Sequence, residues 1–345
     1  MTNIRNYHFA SDNTAAVAPE AWSALESANN GYEPGYGEDS WTARAADLIR
    51  ELFETDCEVF FTFNGTAANS LALASMCQSY HSIICHEMAH VETDECGAPE
   101  FYSNGTKVLL AGGENGKLNL EEVEEIASRR TDVHFPKSKV ISVTQPTEMG
   151  TIYQPDELQA IGELAKRLSL RLHMDGARFF NALVSLNISA KEISWQCGVD
   201  VLCLGGTKLG MPAGDAVVFF NKDLAYEFEY RCKQAGQLAS KMRFLSAPWV
   251  GMLENGACLK HAKHANNCAA KLAEQLQQFS DIKLVAPVEA NGVFAHFPDH
   301  LHIALKEMGW SYYNFIAKGG ARLMCSWSTT EQDISEFIDD VTSSL

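Results

Sequence analysis

The 345-residue sequence has no CxxC pair, no unbroken apolar run near the roughly 18 residues a membrane span needs, and a shortage of bases. Each gap removes a class of function. Ten cysteines, several of them inside apolar strand-like runs, read as buried thiols, so a reducing compartment, the cytoplasm, is expected. With 27 Lys and Arg against 44 Asp and Glu the net charge is −17, a field that repels polyanions and gives nucleic acid no footprint. The opening stretch MTNIRNYHFASDN lacks the apolar segment of a signal peptide, so neither export nor a membrane partner is expected. Internal repeats and low-complexity tracts are also missing. What remains is a chain that is 46% apolar, enough for a packed core and long enough for two domains.

From about residue 40 to 222, short β-branched and aromatic runs alternate with helical patterns, the signature of βα units feeding a largely parallel sheet. Strands are expected at VFFTF (59–63), SIICH (82–86), KVLLA (107–111), KVISVT (139–144), RLHMD (171–175), VLCLGG (201–206) and AVVFFN (216–221). Several are apolar on both faces, as a sheet covered by helices requires. Trp41, Ala45, Leu48, Ile49, Leu52 and Phe53 recur at helical steps, as do Leu158, Ile161, Ala165 and Leu168 after Pro155. Around SAPW (246–249) the pattern breaks. A helix carrying Leu272, Leu276 and Phe279 follows, then strand-like GVFAHF and ARLMCSW and a terminal helix. The expected division is an irregular N-terminal arm (1–40), a large α/β domain (41–245) with a mostly parallel seven-stranded sheet, and a smaller α+β domain (246–345).

Three strand ends carry candidate chemistry. In VLCLGGTKLGMPAGDAVVFF, Lys208 follows a buried-looking strand and is hemmed by Gly205, Gly206, Gly210 and Gly214, a backbone bare enough to admit a close ligand. The glycine spacing is wrong for a Walker loop, and no Ser or Thr follows the lysine. A desolvated lysine offers a neutral amine for Schiff base formation. Asp175 ends another strand and is followed by Arg178. Alone it reads as a helix cap. Together, a strand-end Asp and a strand-end Lys one βα unit later are what pyridoxal phosphate needs: a carboxylate to keep the ring nitrogen protonated and an amine to hold the aldehyde. The third element is FFTFNGTAANSLAL, a strand, a turn with Gly65 and Thr66, and a helix start with open amides and a dipole suited to an anion.

These segments resemble the low-specificity L-threonine aldolases, within the aromatic amino acid β-eliminating lyase group of fold type I pyridoxal phosphate enzymes. The resemblance runs from SDNT through GYGED, NGTAAN, AH, DGARFFNA and GGTKLG to GGARLM. It implies the fold type I transferase-like architecture, pyridoxal 5'-phosphate, and an amino acid substrate. Lys208 would be the Schiff base lysine, Asp175 the partner of the ring nitrogen, and Gly65, Thr66 and Thr207 part of the phosphate site. His90 would stack on the ring, and Arg178 would stand near the phenolic oxygen or the substrate carboxylate, which Ser11 and Arg322 would bind. Tyr36 would reach in from a neighbouring subunit of a homodimer or homotetramer, and Glu95 would stand near a catalytic water. Arg231, with Lys233 and Arg243 as alternatives, would complete the phosphate site.

The sequence departs from the family where a second histidine is usual: QPTEMG places Glu148 there, leaving the base open between His90 and a water held by Glu95 or Glu148. The loop after Lys208 is one residue shorter, and KQAGQLASKMRF is longer. The implied reaction is retro-aldol cleavage of threonine, allo-threonine or phenylserine to glycine and an aldehyde, with a β-eliminating lyase as the alternative. A rival motif, HEMAH (86–90), matches the zinc protease pattern. Its first histidine follows an apolar strand directly and no third ligand is evident, so no metal is expected.

Overall fold

The computed structural model describes residues 7–314 and 320–345; the first six residues of the expected arm and Gly319 of GGARLM lie outside them. The expected sheet is present: β1 (Glu58–Thr62), β2 (His81–His86), β3 (Lys107–Ala111), β4 (Lys137–Thr144), β5 (Arg171–Gly176), β6 (Val201–Leu204) and β7 (Asp215–Phe219), in the order β1-β7-β6-β5-β4-β2-β3. Only β7 runs against its neighbours. The carboxyl ends of β2, β4, β5 and β6 therefore open on one side, where parallel α/β sheets place their ligands. Strand β6 stops at Leu204, short of the two glycines expected in it. Gly205 turns so tightly that a Cβ there would lie 2.3 Å from the Ala177 carbonyl oxygen.

A second, antiparallel sheet, β10-β9-β8, is built from β8 (Lys283–Leu284), β9 (Gly292–His296) and β10 (Gly320–Met324). Its apolar face packs with the helices Ala257–Leu276 and Glu331–Ser344 through Leu272, Leu276, Val293, Leu323 and Phe337. Phe279 lies beyond the end of the first of these helices, not on it.

Two expectations are corrected. The arm is not irregular throughout: Pro19–Ala28 is a helix, α1. It buries only Ala21, Ala24 and Ala28, so no large apolar stripe announces it. SAPW does not break a helix either. It lies within the helix Arg243–Glu254, which packs on α1 and on α2 (Ser40–Phe53). Pro248 removes one helical hydrogen bond, and burial of Ala247, Trp249 and Val250 outweighs that loss. The division expected at 245/246 falls inside this helix.

Candidate active site

Six of the expected residues, Ser11, His90, Glu148, Arg178, Lys208 and Arg322, line one cleft of about 560 Å³. Both sheets and the N-terminal turn contribute to it. Lys208 sits in the short turn Thr207–Leu209 after β6, and its Nζ makes no hydrogen bond or ion pair among the described residues. Glu148, in the loop after β4, likewise has no such partner there.

Asp175 ends β5 and is 4% exposed. Its Oδ1 accepts from Ala177 N at 2.9 Å and its Oδ2 from Asn69 Nδ2 at 2.8 Å. Burial alone would raise this carboxyl, but the Lys208 and His90 charges and these hydrogen bonds outweigh it and hold it below the usual range. The other Asn69 amide hydrogen goes to Glu95 Oε1, also at 2.8 Å, and the same oxygen meets His90 Nδ1 at 2.9 Å. The hydrogen bond to Glu95 pushes His90 up, and burial pushes Glu95 up. Both shifts describe one fact: the pair keeps a shared proton to higher pH than either group would alone. Asp175 stays ionised one asparagine away.

Arg178 gives its Nε to Asp12 Oδ2 at 2.6 Å and its Nη2 to Asp12 Oδ1 at 3.0 Å. Asn291 Nδ2 adds a third bond to Asp12 at 3.1 Å. Burial opposes ionisation of Asp12, yet the Arg178 guanidinium holds its carboxyl below the usual value. The fork of Arg178 is thus occupied by Asp12; Arg322 on β10 lines the same cleft with its guanidinium 4.8 Å from the Tyr313 ring centre.

At the end of β1, Asn64 caps α3 (Gly65–Met76) by accepting from Ala67 N at 2.9 Å. Among the described residues the amides of Gly65 and Thr66 have no acceptor, and Arg243 Nη1 is buried without a partner. An anion at the start of this twelve-residue helix would satisfy the two amides. With Lys208 lining the cleft and its charge acting on the buried Asp175, the residues fit pyridoxal phosphate.

Of the expected residues, Glu95, Asp175, Gly65, Thr66, Thr207, Tyr36 and Arg231 do not line this cleft. Tyr36 is 53% exposed, with the Lys233 ammonium 4.5 Å from its ring centre, and Arg231 lies on the helix Phe228–Gln234. The HEMAH pattern is not on one helix. His86 ends β2 and faces Gly113 O and Met88 N with its two ring nitrogens, whereas His90 starts the short helix His90–Thr93. Three residues of the site went unread in the sequence: Asp12, Asn69 and Asp215. Asp12 adjoins Ser11 and Asn69 lies one helical turn beyond Gly65, and those positions were the only signals.

The model of the β-eliminating lyase family matches residues 8–300. A low specificity L-threonine aldolase of Pseudomonas sp. (strain NCIMB 10558) is 59% identical over 337 residues, 98% of this chain and 97% of that one. The chain belongs to the low-specificity L-threonine aldolase family, among the β-eliminating lyases. A second such aldolase, from Pseudomonas aeruginosa, is 60% identical and covers 96% of each chain. Among solved structures, a threonine aldolase of Leishmania major superposes with a TM-score of 0.92 at 28% identity, covering 98% of each chain. Membership agrees with the geometry of the cleft, since the family's DGAR and TK motifs are the segments that bring Arg178 and Lys208 there.

Proposed function

We propose that the chain cleaves L-threonine, L-allo-threonine and related β-hydroxy α-amino acids such as phenylserine to glycine and an aldehyde, with pyridoxal phosphate as cofactor. Lys208 would hold the cofactor's aldehyde carbon, Asp175 its ring nitrogen, and His90 its ring face. Gly65, Thr66, Thr207 and Arg243 would hold its phosphate, Arg243 being preferred to Arg231 for its orphaned, buried Nη1. When bound, the cofactor supplies the electron sink for the carbanion left as the Cα–Cβ bond breaks.

The chain's own residues do the rest. Arg322 and Ser11 receive the substrate carboxylate and fix which bond at Cα is broken. Asp12 holds Arg178 beside them. His90 Nδ1 is engaged by Glu95, so Glu148, unpartnered at the cleft, takes the β-hydroxyl proton. β-Elimination would use the same holding residues, but the two relatives near 60% identity, both named L-threonine aldolase, favour aldol cleavage.

The exposed Tyr32, Tyr36 and Phe63 support a homodimer or homotetramer in which Tyr36 serves a neighbour's cleft, since it does not line its own. Ten unpaired cysteines support the cytoplasm as its compartment, and no helix among the described residues is long and apolar enough to cross a membrane.

The observation that carries this reading is Lys208, unpartnered at the cleft, with its charge acting on the buried Asp175. Lys208→Ala is expected to lose both the visible absorbance of bound cofactor and aldehyde release from threonine. A variant that kept both would reject the assignment.

A further inference from the structure

Asp215 opens β7 immediately after the Lys208 loop and is 6% exposed. Its Oδ1 accepts from Gly206 N at 2.7 Å and Thr207 N at 3.2 Å, with Thr207 Oγ1 at 3.4 Å. Its Oδ2 turns toward the start of α3, where a Cβ added to Gly65 would lie 3.4 Å from it. The register of β1 on β7 sets Asp215 opposite Thr62, and Gly214 N donates to Phe63 O at 3.1 Å, so the two loops are locked side by side. One carboxylate thus binds the two residues before Lys208 and faces the first residue of the helix with open amides.

Nothing nearby leaves slack in this loop. A Cβ on Gly206 would lie 2.6 Å from the Gly214 carbonyl oxygen and 2.8 Å from the Trp249 ring. Burial pushes the Asp215 carboxyl up, with Asp175 adding to the push, against the Gly206 and Thr207 hydrogen bonds and the Lys208 charge. A carboxylate kept in so dry a place, with two backbone amides as its partners, has a defined geometric task.

We propose that Asp215 is a positioning residue that clamps the Gly206 and Thr207 amides and so sets the Lys208 amine against the anion site at the start of α3. The proposal rests on the reading of Lys208 as the lysine that carries the cofactor. It is tested on apoprotein given either pyridoxal phosphate or pyridoxal, following the visible absorbance and mapping the borohydride-fixed label on Lys208. Asp215→Asn keeps the shape and the acceptor, and is expected to label within about threefold of the parent rate. Asp215→Ala strands both amides, and is expected to label about tenfold or more slowly with either aldehyde, because the misplaced group is the amine.

A folded Asp215→Ala that labels at the parent rate overturns the proposal, as does an Asp215→Asn as slow as the alanine variant. Should the alanine variant fail to fold, hydrogen exchange decides: protection of the Gly206 and Thr207 amides in both parent and Asp215→Asn supports the clamp, and rapid exchange in the parent overturns it. No label on Lys208 in the parent itself would reject the cofactor reading and the proposal together, whereas equal label in parent and alanine variant rejects the proposal alone.

Discussion

A single amide separates the two acidic groups of this site and decides how differently they behave. Asn69 donates to Asp175 and to Glu95, and only Asp175 has Lys208 as its principal counter-charge. The working form of Asp175 is the carboxylate, and its lowered pKa keeps that form available as pH falls. Replacing Asn69 with Leu removes the hydrogen bond, raises the Asp175 carboxyl, and brings the loss of activity to higher pH. A hydrogen bond to a charged group is worth about 1.5–3 kcal/mol, so turnover on the acid side should drop roughly tenfold or more while the alkaline side changes less. A pH–rate profile checks this, and an unmoved acid limb would remove Asn69 from the account. The orphaned Arg243 Nη1 makes a second claim at this scale. Arg243→Leu should weaken binding of pyridoxal phosphate about tenfold or more, and Arg231→Leu much less, in an absorbance titration. Equal losses would restore Arg231 to the phosphate site.

Elements were legible where large apolar side chains mark them. All seven strands of the main sheet lie where β-branched and aromatic runs placed them, and in β2, β6 and β7 burial on both faces demands such residues. Helix α1 was hidden for the opposite reason: its seam with Arg243–Glu254 is made of alanines and Gly251, whose added Cβ would lie 2.3 Å from the Glu20 carbonyl oxygen. Close backbone packing leaves no hydrophobic stripe to read. Gly251→Ala should therefore destabilise the fold by about 1–3 kcal/mol in urea unfolding, although alanine is the better helix former. A neutral or stabilising result would mean that the seam is loose. Strand β5 holds a second hidden device: His173 is fully buried, with Nδ1 2.9 Å from Ser142 Oγ and Nε2 3.3 Å from Cys203 Sγ. Burial lowers its pKa from 6.5 to about 4. Above pH 6.5 both folded and unfolded chains hold it neutral; between there and about 4 only the unfolded chain takes the proton, so stability falls through that window. At 1.36 kcal/mol per pH unit the full loss is about 3 kcal/mol. Unfolding followed across this range should be flatter for His173→Gln than for the parent, and identical slopes would refute the assignment.

Across the whole molecule, the cleft exists only where three pieces of chain meet, and Asp12 joins them. It belongs to the N-terminal turn, pairs with Arg178 beyond β5 of the large sheet, and is bonded by Asn291, just before the central strand β9 of the small one. Close by, Met324 N of β10 donates to Phe9 O at 2.9 Å, and Phe9 packs on Trp310 and Phe337 of the second core. The motif reading found Ser11 and Arg322 by family likeness but not the link that carries them into one cleft. An aspartate in an Asn-rich turn looks like a local cap until the fold brings a guanidinium to it. Asp12→Asn keeps the shape and removes the charge, leaving the half-buried Arg178 without its paired carboxylate. Breaking such a pair typically costs about 3–5 kcal/mol, and that loss should appear in urea unfolding at neutral pH. Because the folded-state pKa of Asp12 is depressed, its stabilisation is present above its unfolded value of 3.8 and is lost as pH falls through the folded one. The gap between parent and variant should therefore narrow in acid. KM for threonine should rise as well, since Ser11 and Arg178 lose their common anchor. If the two proteins unfold alike at neutral pH and share one KM, the three pieces are held together by their apolar cores alone.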